Sequence, residues 1–295
     1  MSDYTIDDYN FILNHEWQTY TDKELQVPGI RLFGHFSSQR ASAPLSMHIH
    51  PGCMEVCYIV RGNQTYHVGE EVFHLTGGDL FVTFPDELHG SGGDPQGKFE
   101  LYWMQLETAE DDFLFYNTQQ ARLLKSTLLN AETRHFKGDP RSYQLIKEAF
   151  GYIPLIDPIQ KMLGVSALTL FLSKNFCDNQ KLQPKPAKIA QAELFIKENL
   201  ENKIALADAA EHIGLSLSYF KKLFKVSTGE TPGDYINYLK IQRSKKLLES
   251  ESVTQVAFAL DFSSSSYFSS VFRHYTGMSP TQFQKKVKKR NGDSI

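Results

Sequence analysis

The sequence has few cysteines and no long apolar run, and each shortage excludes a class of protein. Its three cysteines, Cys53, Cys57 and Cys177, are too few and too scattered for a disulfide framework. Three residues separate Cys53 from Cys57, which is not a usual spacing for zinc ligands. The longest apolar stretch, around 162–172, is too short to span a bilayer. We therefore expect reduced cysteines that pack in the interior and a protein without a membrane span.

The chain also lacks an export signal at its start and a strong net charge. Residues 1–10 are polar and acidic rather than basic and then apolar, so we expect no signal peptide and a cytoplasmic protein. Residues 181–295 contain 18 Lys and Arg against 11 Asp and Glu, whereas the remainder contains 13 against 23. A basic segment of net charge +7 joined to an acidic one of −10 suits a polyanion-binding module attached to a sensor.

The basic segment contains one short pattern written twice. Five positions of the first copy match five of the second at a constant offset of 48 residues: Phe220 with Phe268, Phe224 with Phe272, Gly229 with Gly277, Pro232 with Pro280 and Tyr235 with Phe283. Upstream, apolar positions match at an offset of 47: Leu206, Ala209, Ala210 and Ile213 with Val253, Val256, Ala257 and Leu260. An internal repeat of this kind predicts a duplicated structural unit.

Each copy predicts two short helices joined by a tight turn. In the first copy, small apolar residues at i, i+3, i+4 and i+7 form one helix face, and Gly214 favours the left-handed turn that ends a helix. Ser216 is a candidate N-cap for the second helix, whose buried face carries Phe220 and Phe224. Two helices that cross steeply, with a polar outer face on the second, are typical of a helix-turn-helix. Such a second helix fits the DNA major groove.

The duplicated region resembles the DNA-binding domain of the AraC/XylS family of bacterial transcription regulators. The resemblance is carried by residues of both copies: Ala210, Gly214, Leu215, Ser216, Ser218, Phe220, Phe224, Lys225, Gly229, Pro232, Ala257, Phe262, Tyr267, Phe268, Phe272, Arg273, Gly277, Ser279, Pro280 and Phe283. It departs from the family at Asp261, where a glycine is usual, although aspartate tolerates a left-handed turn better than most residues. The resemblance implies a nucleoid-associated homodimer that binds double-stranded DNA, contacts RNA polymerase and activates transcription.

The outer faces of the two second helices supply the predicted DNA contacts. The predicted contacts to base edges are Ser218, Lys221 and Lys222 in the first copy and Ser266, Ser269 and Ser270 in the second. The predicted contacts to phosphates are Lys225, Arg273, Lys240 and Arg243. We call these two second helices the reading helices. The helix between the two units then places them about one helical turn of DNA apart. The alternative is a helical bundle that repeats by chance, with phenylalanines that serve only as core.

From about residue 30 to residue 106 the apolar residues follow the two-residue alternation that is typical of β-strands. Many short strands separated by glycine and asparagine turns predict a closed or double-sheet β structure. Within this region, His48, His50 and Glu55 are similar to the first motif of the cupin jelly roll, and the segment that ends at His89 is similar to the second. The resemblance implies the small-molecule-sensing domain of AraC-type regulators, for which a sugar is one candidate effector.

The polar residues of the cupin-like motifs leave several alternatives open. Alternation along a strand places His48 and His50 on the same face, and with Glu55 and His89 they form a ligand set for Zn, Fe, Mn or Ni. The same side chains could instead bind an effector without metal or serve the barrel alone. We expect a regulator that is not an enzyme and requires no cofactor. A metal-dependent cupin enzyme fused to a DNA-binding domain is the alternative. Trp103 is the predicted ligand-stacking residue, because its indole donor needs a partner when buried.

Composition and period together predict an α+β fold of two domains. The N-terminal domain is a cupin-type jelly-roll β-barrel with a helical extension, and the C-terminal domain is all-α with two helix-turn-helix motifs. The apolar helix near 159–171 packs on the barrel or against a second copy of the chain. The predicted boundaries are 1–178 for the sensing domain, 179–188 for a linker, 189–290 for the DNA-binding domain, and about 206–226 and 253–275 for the two motifs.

Overall fold

The α+β class predicted from the sequence is confirmed by a computed structural model of the chain. The chain divides into two compact units, and the last boundary between them along the sequence falls within the segment 179–188. The first unit is built on antiparallel strands with added helices, and the second is built on helices. Gly229 of the repeat and most of the predicted linker lie outside the described residues. The structure describes residues 5–6, 17–38, 44–92, 96–109, 111–178, 187–200, 204–228 and 230–292, with side chains described between 17 and 287.

The first unit is organised around one long strand, β5, that takes part in both faces of the barrel. The first half of β5 pairs with β7 and β9, and its second half pairs with β6 and β8. This change of partners makes the two-sheeted arrangement that the sequence predicts. Within the described residues the strands are β1 (Thr5–Ile6), β2 (Trp17–Thr21), β3 (Ile30–Ser38), β4 (His48–Ile49), β5 (Cys53–Val68), β6 (Glu71–Thr76), β7 (Asp79–Thr83), β8 (His89–Gly90), β9 (Phe99–Glu107) and β10 (His135–Lys137).

Alternation along the strands separates two apolar clusters. Cys57 and Ile59 belong to an inner cluster with Trp103, formed by side chains from both halves of β5 and therefore lying between the sheets. Val56 and Tyr58 point the other way, into an outer cluster that includes side chains of the helices. The space between the sheets is therefore largely filled by apolar side chains, and a polar group there needs a partner.

The helices of the first unit cover the outer cluster. Leu168, Phe171 and Leu172 are buried on one side of the long helix α4, whereas Ile159 and Leu163 are exposed on the other. No helix in the part of the chain that the structure describes is long and apolar enough to cross a membrane. These helices are α1 (Asp22–Leu25), α2 (Thr118–Leu129), α3 (Ser142–Tyr152) and α4 (Pro158–Ser173), and α4 continues into a wider helical turn, Lys174–Asp178.

The second unit contains two small cores that correspond to the two copies of the repeat. Phe220 and Phe224 are fully buried in the first core, and Phe268 and Phe272 are fully buried in the second. Helix α8 contributes side chains to both cores. The helices are α5 (Ala187–Glu198), α6 (Leu206–His212), α7 (Leu217–Thr228), α8 (Pro232–Leu247), α9 (Val253–Ala259), α10 (Ser265–Thr276) and α11 (Pro280–Gly292).

The turns and ends of these helices agree with the sequence at most positions. Gly214 ends the first helix of the first copy with φ 63°, and Asp261 takes the equivalent turn in the second copy with φ 51°. Ser216 caps α7, as predicted, because its hydroxyl accepts the N–H of Tyr219. Helix α5 begins at Ala187, two residues before the predicted start of the domain at 189. Alanine and lysine favour the helical state, so the helix extends into the segment assigned to the linker.

Candidate DNA interface and ligand site

The outer face of α7 presents the residues predicted to contact DNA. Ser218, Lys221, Lys222 and Lys225 are all exposed, on the sides of the helix that face away from its two buried phenylalanines. A helix with an apolar inner face and three outward ammonium groups supplies both core packing and phosphate attraction. The first copy therefore has the arrangement that the sequence predicts.

The outer face of α10 carries smaller and less charged groups. Ser266, Ser270 and Arg273 are exposed, but Ser269 is half-buried. Ser269 follows Phe268, and one residue turns a helix by only about 100°, so its short side chain stays close to the body of the unit. The predicted contact of Ser269 with a base edge is accordingly more restricted than that of Ser266 or Ser270.

Two exposed tyrosines lie in the first turns of α7 and α10 and were not among the predicted DNA contacts. Tyr219 is 53% exposed and Tyr267 is 49% exposed, and they are related by the repeat offset of 48 residues. The N–H of each donates to a serine hydroxyl that caps its helix, at 3.4 Å from Ser216 and 3.1 Å from Ser264. N-terminal residues of a reading helix are those that approach bases and backbone. The repeat offset was the sequence signal that could have identified this pair.

The prediction that Lys240 holds a phosphate is wrong. Its side chain is only 7% exposed, and its Nζ donates to the backbone carbonyl of Asp261 at 3.4 Å. The ammonium also lies 5.4 Å from the ring centre of Phe262, and burial lowers its pKa although Asp261 opposes this effect. Lys240 faces inward because α8 lies between the two cores, so it fastens α8 to the turn after α9. Arg243 on the same helix is exposed.

The polar residues of the cupin-like motifs come together inside the barrel of the first unit. His48 and His89 face each other across paired strands, and His50 and Glu55 join them from the start of β5 and the residues before it. The Nε2 atoms of His48 and His50 are 3.2 Å apart, and Nε2 of His50 is 3.0 Å from Oε2 of Glu55. Nε2 of His89 lies 3.6 Å from Oε1 of Glu55. We call these four residues the His–Glu cluster.

Backbone carbonyls fix the orientation of two of these imidazoles. Nδ1 of His48 lies 2.8 Å from the carbonyl oxygen of Ser46, and Nδ1 of His89 lies 2.9 Å from that of Glu87. A carbonyl only accepts, so each Nδ1 carries the proton and donates it, and each Nε2 lone pair is directed into the cluster. Nε2 of His89 is buried and has no hydrogen-bond partner among the described residues.

The His–Glu cluster fits a divalent transition metal by its donor chemistry. One ligand atom from each of His48, His50 and His89 lies within 4.8 Å of the other two. Metal-ligating histidines usually donate their other ring N–H to a carbonyl or carboxylate, which is the arrangement at His48 and His89. Imidazole nitrogens with one carboxylate suit Zn, Fe, Mn or Ni. The three histidines therefore come close enough to share an ion, and metal binding by them with Glu55 remains a prediction.

Electrostatics inside the cluster favour an ionised carboxylate and a neutral imidazole. Burial, the largest influence, raises the pKa of Glu55, but the neighbouring imidazoles of His50 and His89, with the hydrogen bond from His50, outweigh it and hold that pKa well below its usual range. Burial is the main cause that lowers the pKa of His48, and the neighbouring His89 adds to it. Both shifts favour the deprotonated forms that bind a cation.

Two further polar side chains adjoin the cluster. The amide nitrogen of Gln105 lies 3.1 Å from Nδ1 of His50, and its amide oxygen lacks a hydrogen-bond partner in the described structure. Sγ of Cys57 donates to Oε1 of Glu55 at 3.4 Å, and burial raises the pKa of this thiol well above its usual value. Cys57 therefore stays protonated and acts as a donor to the carboxylate. Gln105 pairs directly with Glu55 across β9 and β5, which only the strand register reveals.

Trp103 occupies a packed position in the inner cluster. It is 7% exposed, and its ring meets the edge of Trp17 with centroids 5.4 Å apart. A Cβ at Gly34 would come within 2.2 Å of the Trp103 ring, so the glycine makes room for the indole. This packing explains why Trp103 is buried. The stacking of Trp103 on an effector remains a prediction.

Comparison with known protein families assigns both units. The model of the AraC-like ligand binding domain matches residues 34–153, and a helix-turn-helix domain model matches residues 209–286. The chain belongs to the AraC family of transcription regulators. This AraC-family chain therefore joins a ligand-binding domain to a DNA-binding domain, which confirms the family and the two modules predicted from the sequence.

Relatives of this AraC-family chain are named as regulators. The uncharacterized HTH-type transcriptional regulator YfiF of Bacillus subtilis is 24% identical over 79% of this chain and 77% of its own length. The Msm operon regulatory protein of Streptococcus mutans is 24% identical over 78% and 83%. The melibiose operon regulatory protein of Escherichia coli is 35% identical over 32% of each chain. These names favour regulation over catalysis.

Proposed function

We propose that this AraC-type regulator activates transcription in response to a small molecule bound at the His–Glu cluster, with a sugar as the first candidate. The observation that carries the proposal is a buried cluster of titratable polar side chains inside a largely apolar barrel. A buried polar atom without a partner costs about 1–3 kcal/mol, and Nε2 of His89 and Oε1 of Gln105 are two such atoms. A bound ligand would offset that cost. The name of one relative, the melibiose operon regulatory protein, supports a sugar.

The sensing proposal is tested with DNA that the protein itself selects. The full chain is used to enrich duplexes from a random pool, and the consensus is called the selected duplex below. We expect one compound in a panel of mono- and disaccharides to change the affinity for this duplex, because an effector must bind one conformation of the regulator more tightly than another. His89→Ala should abolish the response while leaving DNA binding intact.

The outcomes of that test separate the parts of the proposal. If no sugar changes duplex affinity or the melting temperature of the first unit, a sugar effector is excluded. If a sugar acts equally on wild type and His89→Ala, the site lies elsewhere. Transcription in vitro with RNA polymerase on a template that carries the selected duplex then tests activation. A fall in transcript when effector is added would contradict an activator.

We propose that the His–Glu cluster also holds a divalent metal ion. Nε2 of His48, His50 and His89 and the carboxylate of Glu55 would be its ligands. When bound, the ion supplies a positive charge that polarises an oxygen of the effector. Elemental analysis and titration with Co²⁺, followed by visible absorption, test this. We expect one ion per chain, lost in His48→Ala and kept in His74→Ala, an exposed histidine outside the cluster. A wild-type chain without stoichiometric metal would contradict the proposal.

We propose that α7 and α10 both contact the duplex. The proposed contacts to bases are Ser218, Lys221, Lys222, Ser266, Ser269 and Ser270, and those to phosphates are Lys225 and Arg273. Exposure of these side chains supports the assignment, with Ser269 the weakest member because it is half-buried. Tyr219 and Tyr267 join the set as ring and hydroxyl contacts to the groove wall, since both are exposed in first turns.

We propose that the exposed face of α4 forms a homodimer. Ile159, Met162, Leu163 and Leu170 are exposed there, and the preceding Ile156 is 96% exposed. An uncharged apolar face of this size is unfavourable in water, and the same face on a second copy of the chain is its complement under two-fold symmetry. Light scattering should show Leu163→Glu as a monomer and Gln119→Glu, on the exposed side of α2, as a dimer. A monomeric wild type would contradict the proposal.

A further inference from the structure

One ion pair near the His–Glu cluster, between Arg134 and Glu87, is bidentate. Nη1 and Nη2 of Arg134 donate to the two carboxylate oxygens of Glu87 at 2.7 and 2.9 Å. Both side chains are partly buried, with 19% and 27% exposed. Nη1 also lies 3.4 Å from the carbonyl oxygen of Val82. A bidentate pair of this kind fixes the orientation of the carboxylate as well as its position.

Glu87 connects this ion pair to the imidazole of His89. Its Oε2 accepts the N–H of Phe84 at 2.8 Å, which closes the turn before β8. Its backbone carbonyl accepts the proton on Nδ1 of His89 at 2.9 Å. Arg134 therefore acts through Glu87, which stabilises the turn that starts at Phe84 and carries the carbonyl that orients His89.

Arg134 is itself held by the segment that links α2 to α3. Its backbone carbonyl accepts the N–H of Val82 at 2.8 Å, and the next residues form β10, which pairs with β7. The guanidinium also lies 5.4 Å from the ring centre of Phe84 and 5.8 Å from that of Phe73. These contacts leave the guanidinium little freedom, so the pair is a fixed support for the turn.

The ion pair is poorly suited to a role in stability alone. Partly exposed pairs typically contribute about 0–1 kcal/mol to the free energy of unfolding. Ligand geometry is far more sensitive, because metal and effector sites tolerate displacements of only about 0.5 Å. The acceptor of the Nδ1 proton also decides which ring nitrogen of His89 is available, and the available Nε2 is a buried atom that has no hydrogen-bond partner within the described part of the chain.

We infer that Arg134 and Glu87 are positioning residues that keep Nε2 of His89 directed into the His–Glu cluster. The inference rests on the metal-binding part of the proposed function. Arg134 acts through the Glu87 carboxylate, and Glu87 acts through its backbone carbonyl. Neither residue would be a ligand of the ion, and both would influence the affinity of the site by supporting the orientation of His89.

The test compares Co²⁺ affinity in full-length variants. Losing an outer-shell partner typically weakens metal binding by about 10–100-fold, and we expect this loss in Arg134→Met and in Glu87→Gln. Arg134→Lys should recover only part of the affinity, because an ammonium cannot make the bidentate pair. The matched control is Arg122→Met. Arg122 pairs with Asp111 at 3.2 Å, but both side chains are about two-thirds exposed and outside the cluster. Its Co²⁺ affinity should equal that of the wild type.

A second readout does not depend on metal. Nitrogen-15 NMR of the histidine rings in the metal-free protein should show the His89 proton on Nδ1 in wild type and on a mixture of both nitrogens in Arg134→Met. The double variant Arg134→Met/Glu87→Gln should bind Co²⁺ no more weakly than the weaker-binding single variant, because both residues act on His89 through the same carbonyl. Tryptophan fluorescence checks that the first unit, which contains Trp17 and Trp103, remains folded.

The possible failures are distinguishable. If the wild-type chain binds no Co²⁺, the proposed metal site fails, and the His89 tautomer alone decides the positioning role. If the wild type binds Co²⁺ and Arg134→Met binds it equally well with an unchanged His89 tautomer, the positioning role is overturned while the metal site stands. A loss of affinity as large in Arg122→Met would also overturn it, because the effect would then not be specific to the pair.

Discussion

The two copies of the repeat share a scaffold and differ on the surface proposed to contact DNA. Phe220 and Phe224 fill one core as Phe268 and Phe272 fill the other, with all four side chains fully buried. The outer faces have diverged. Helix α7 presents three exposed lysines, whereas α10 presents mainly serines and one exposed arginine. The two copies therefore share the residues that fold the unit and differ in the residues proposed to contact the duplex.

The difference in charge implies a division of labour within the DNA-binding unit. If the proposed contacts hold, we expect the lysines on α7 to attract phosphates and to supply salt-dependent affinity irrespective of sequence. We expect the hydroxyls on α10 to contribute less Coulomb attraction, so that recognition there depends more on close fit and on the shape of the DNA. The two copies therefore combine equivalent scaffolds with unequal outer faces, and the scaffolds and the faces can be tested separately.

The largest expected effect tests the equality of the scaffolds. Phe224→Ala and Phe272→Ala should each destabilise the second unit by about 3–5 kcal/mol, because each leaves a cavity in a small core. Urea unfolding followed by far-UV circular dichroism measures this. The tryptophan-fluorescence transition of the first unit, which contains both tryptophans, should not move and serves as the control. A cost in one copy but not in the other would show that the scaffolds are not equivalent.

The next effect tests the inequality of the faces. Lys221→Glu/Lys222→Glu should weaken binding to the selected duplex by tenfold or more at low salt, since two phosphate-attracting charges are reversed. In the neutral variant Lys222→Gln, the slope of log affinity against log salt should fall by about one. Ser270→Ala, the matched position of α10, should leave the slope unchanged. Equal slopes for Lys222→Gln and Ser270→Ala would remove the distinction between the faces.

A smaller effect tests the matched tyrosines. Both faces carry an exposed tyrosine at this position, so the two copies are alike here. Tyr219→Ala and Tyr267→Ala should each weaken binding to the selected duplex about tenfold, or about 1.4 kcal/mol. Tyr219→Phe and Tyr267→Phe separate the hydroxyl from the ring. Tyr152→Ala, an exposed tyrosine on α3, is the control. Wild-type affinity for both alanine variants would exclude the tyrosines from the interface.

The smallest effect concerns the two equivalent turns. Asp261 takes the left-handed conformation that Gly214 takes in the first copy, and this conformation strains a residue with a Cβ. Asp261→Gly should stabilise the second unit by about 0.5–1 kcal/mol, whereas Gly214→Ala should destabilise it by about 1 kcal/mol. Lys240 keeps its backbone acceptor in Asp261→Gly. Chemical denaturation measures both, and destabilisation by Asp261→Gly would show that the carboxylate matters more than the strain.

Local patterns in the sequence were sufficient for the scaffold of the second unit. Matched phenylalanines at helical spacing predict buried faces, and the positive φ of Gly214 and Asp261 follows from the turn that such helices need. Lys240 was assigned wrongly because helical periodicity does not show that α8 packs on two sides. Tyr219 could have been found by applying the repeat offset to exposed positions as well as to buried ones.

The residues of the ligand site come from more distant parts of the chain, so their contacts were harder to predict. Motif spacing predicts that His48, His50, Glu55 and His89 come together, and the barrel places them in one cluster. Gln105 and Arg134 were not predicted. Gln105 reaches the cluster through strand pairing with Glu55, and Arg134 reaches it through the turn before β8. Neither position shows a local pattern, because long-range register and side-chain geometry decide both contacts.

Hydroxyl-radical footprinting on the selected duplex tests the central claim, that both copies of the repeat contact DNA, most directly. Two protected patches about 10 base pairs apart are expected, since each reading helix enters one of two successive major-groove segments. Lys221→Glu/Lys222→Glu should erase one patch, and Arg273→Glu should erase the other. A single patch in the wild type, or two patches that survive both variants, would contradict the account.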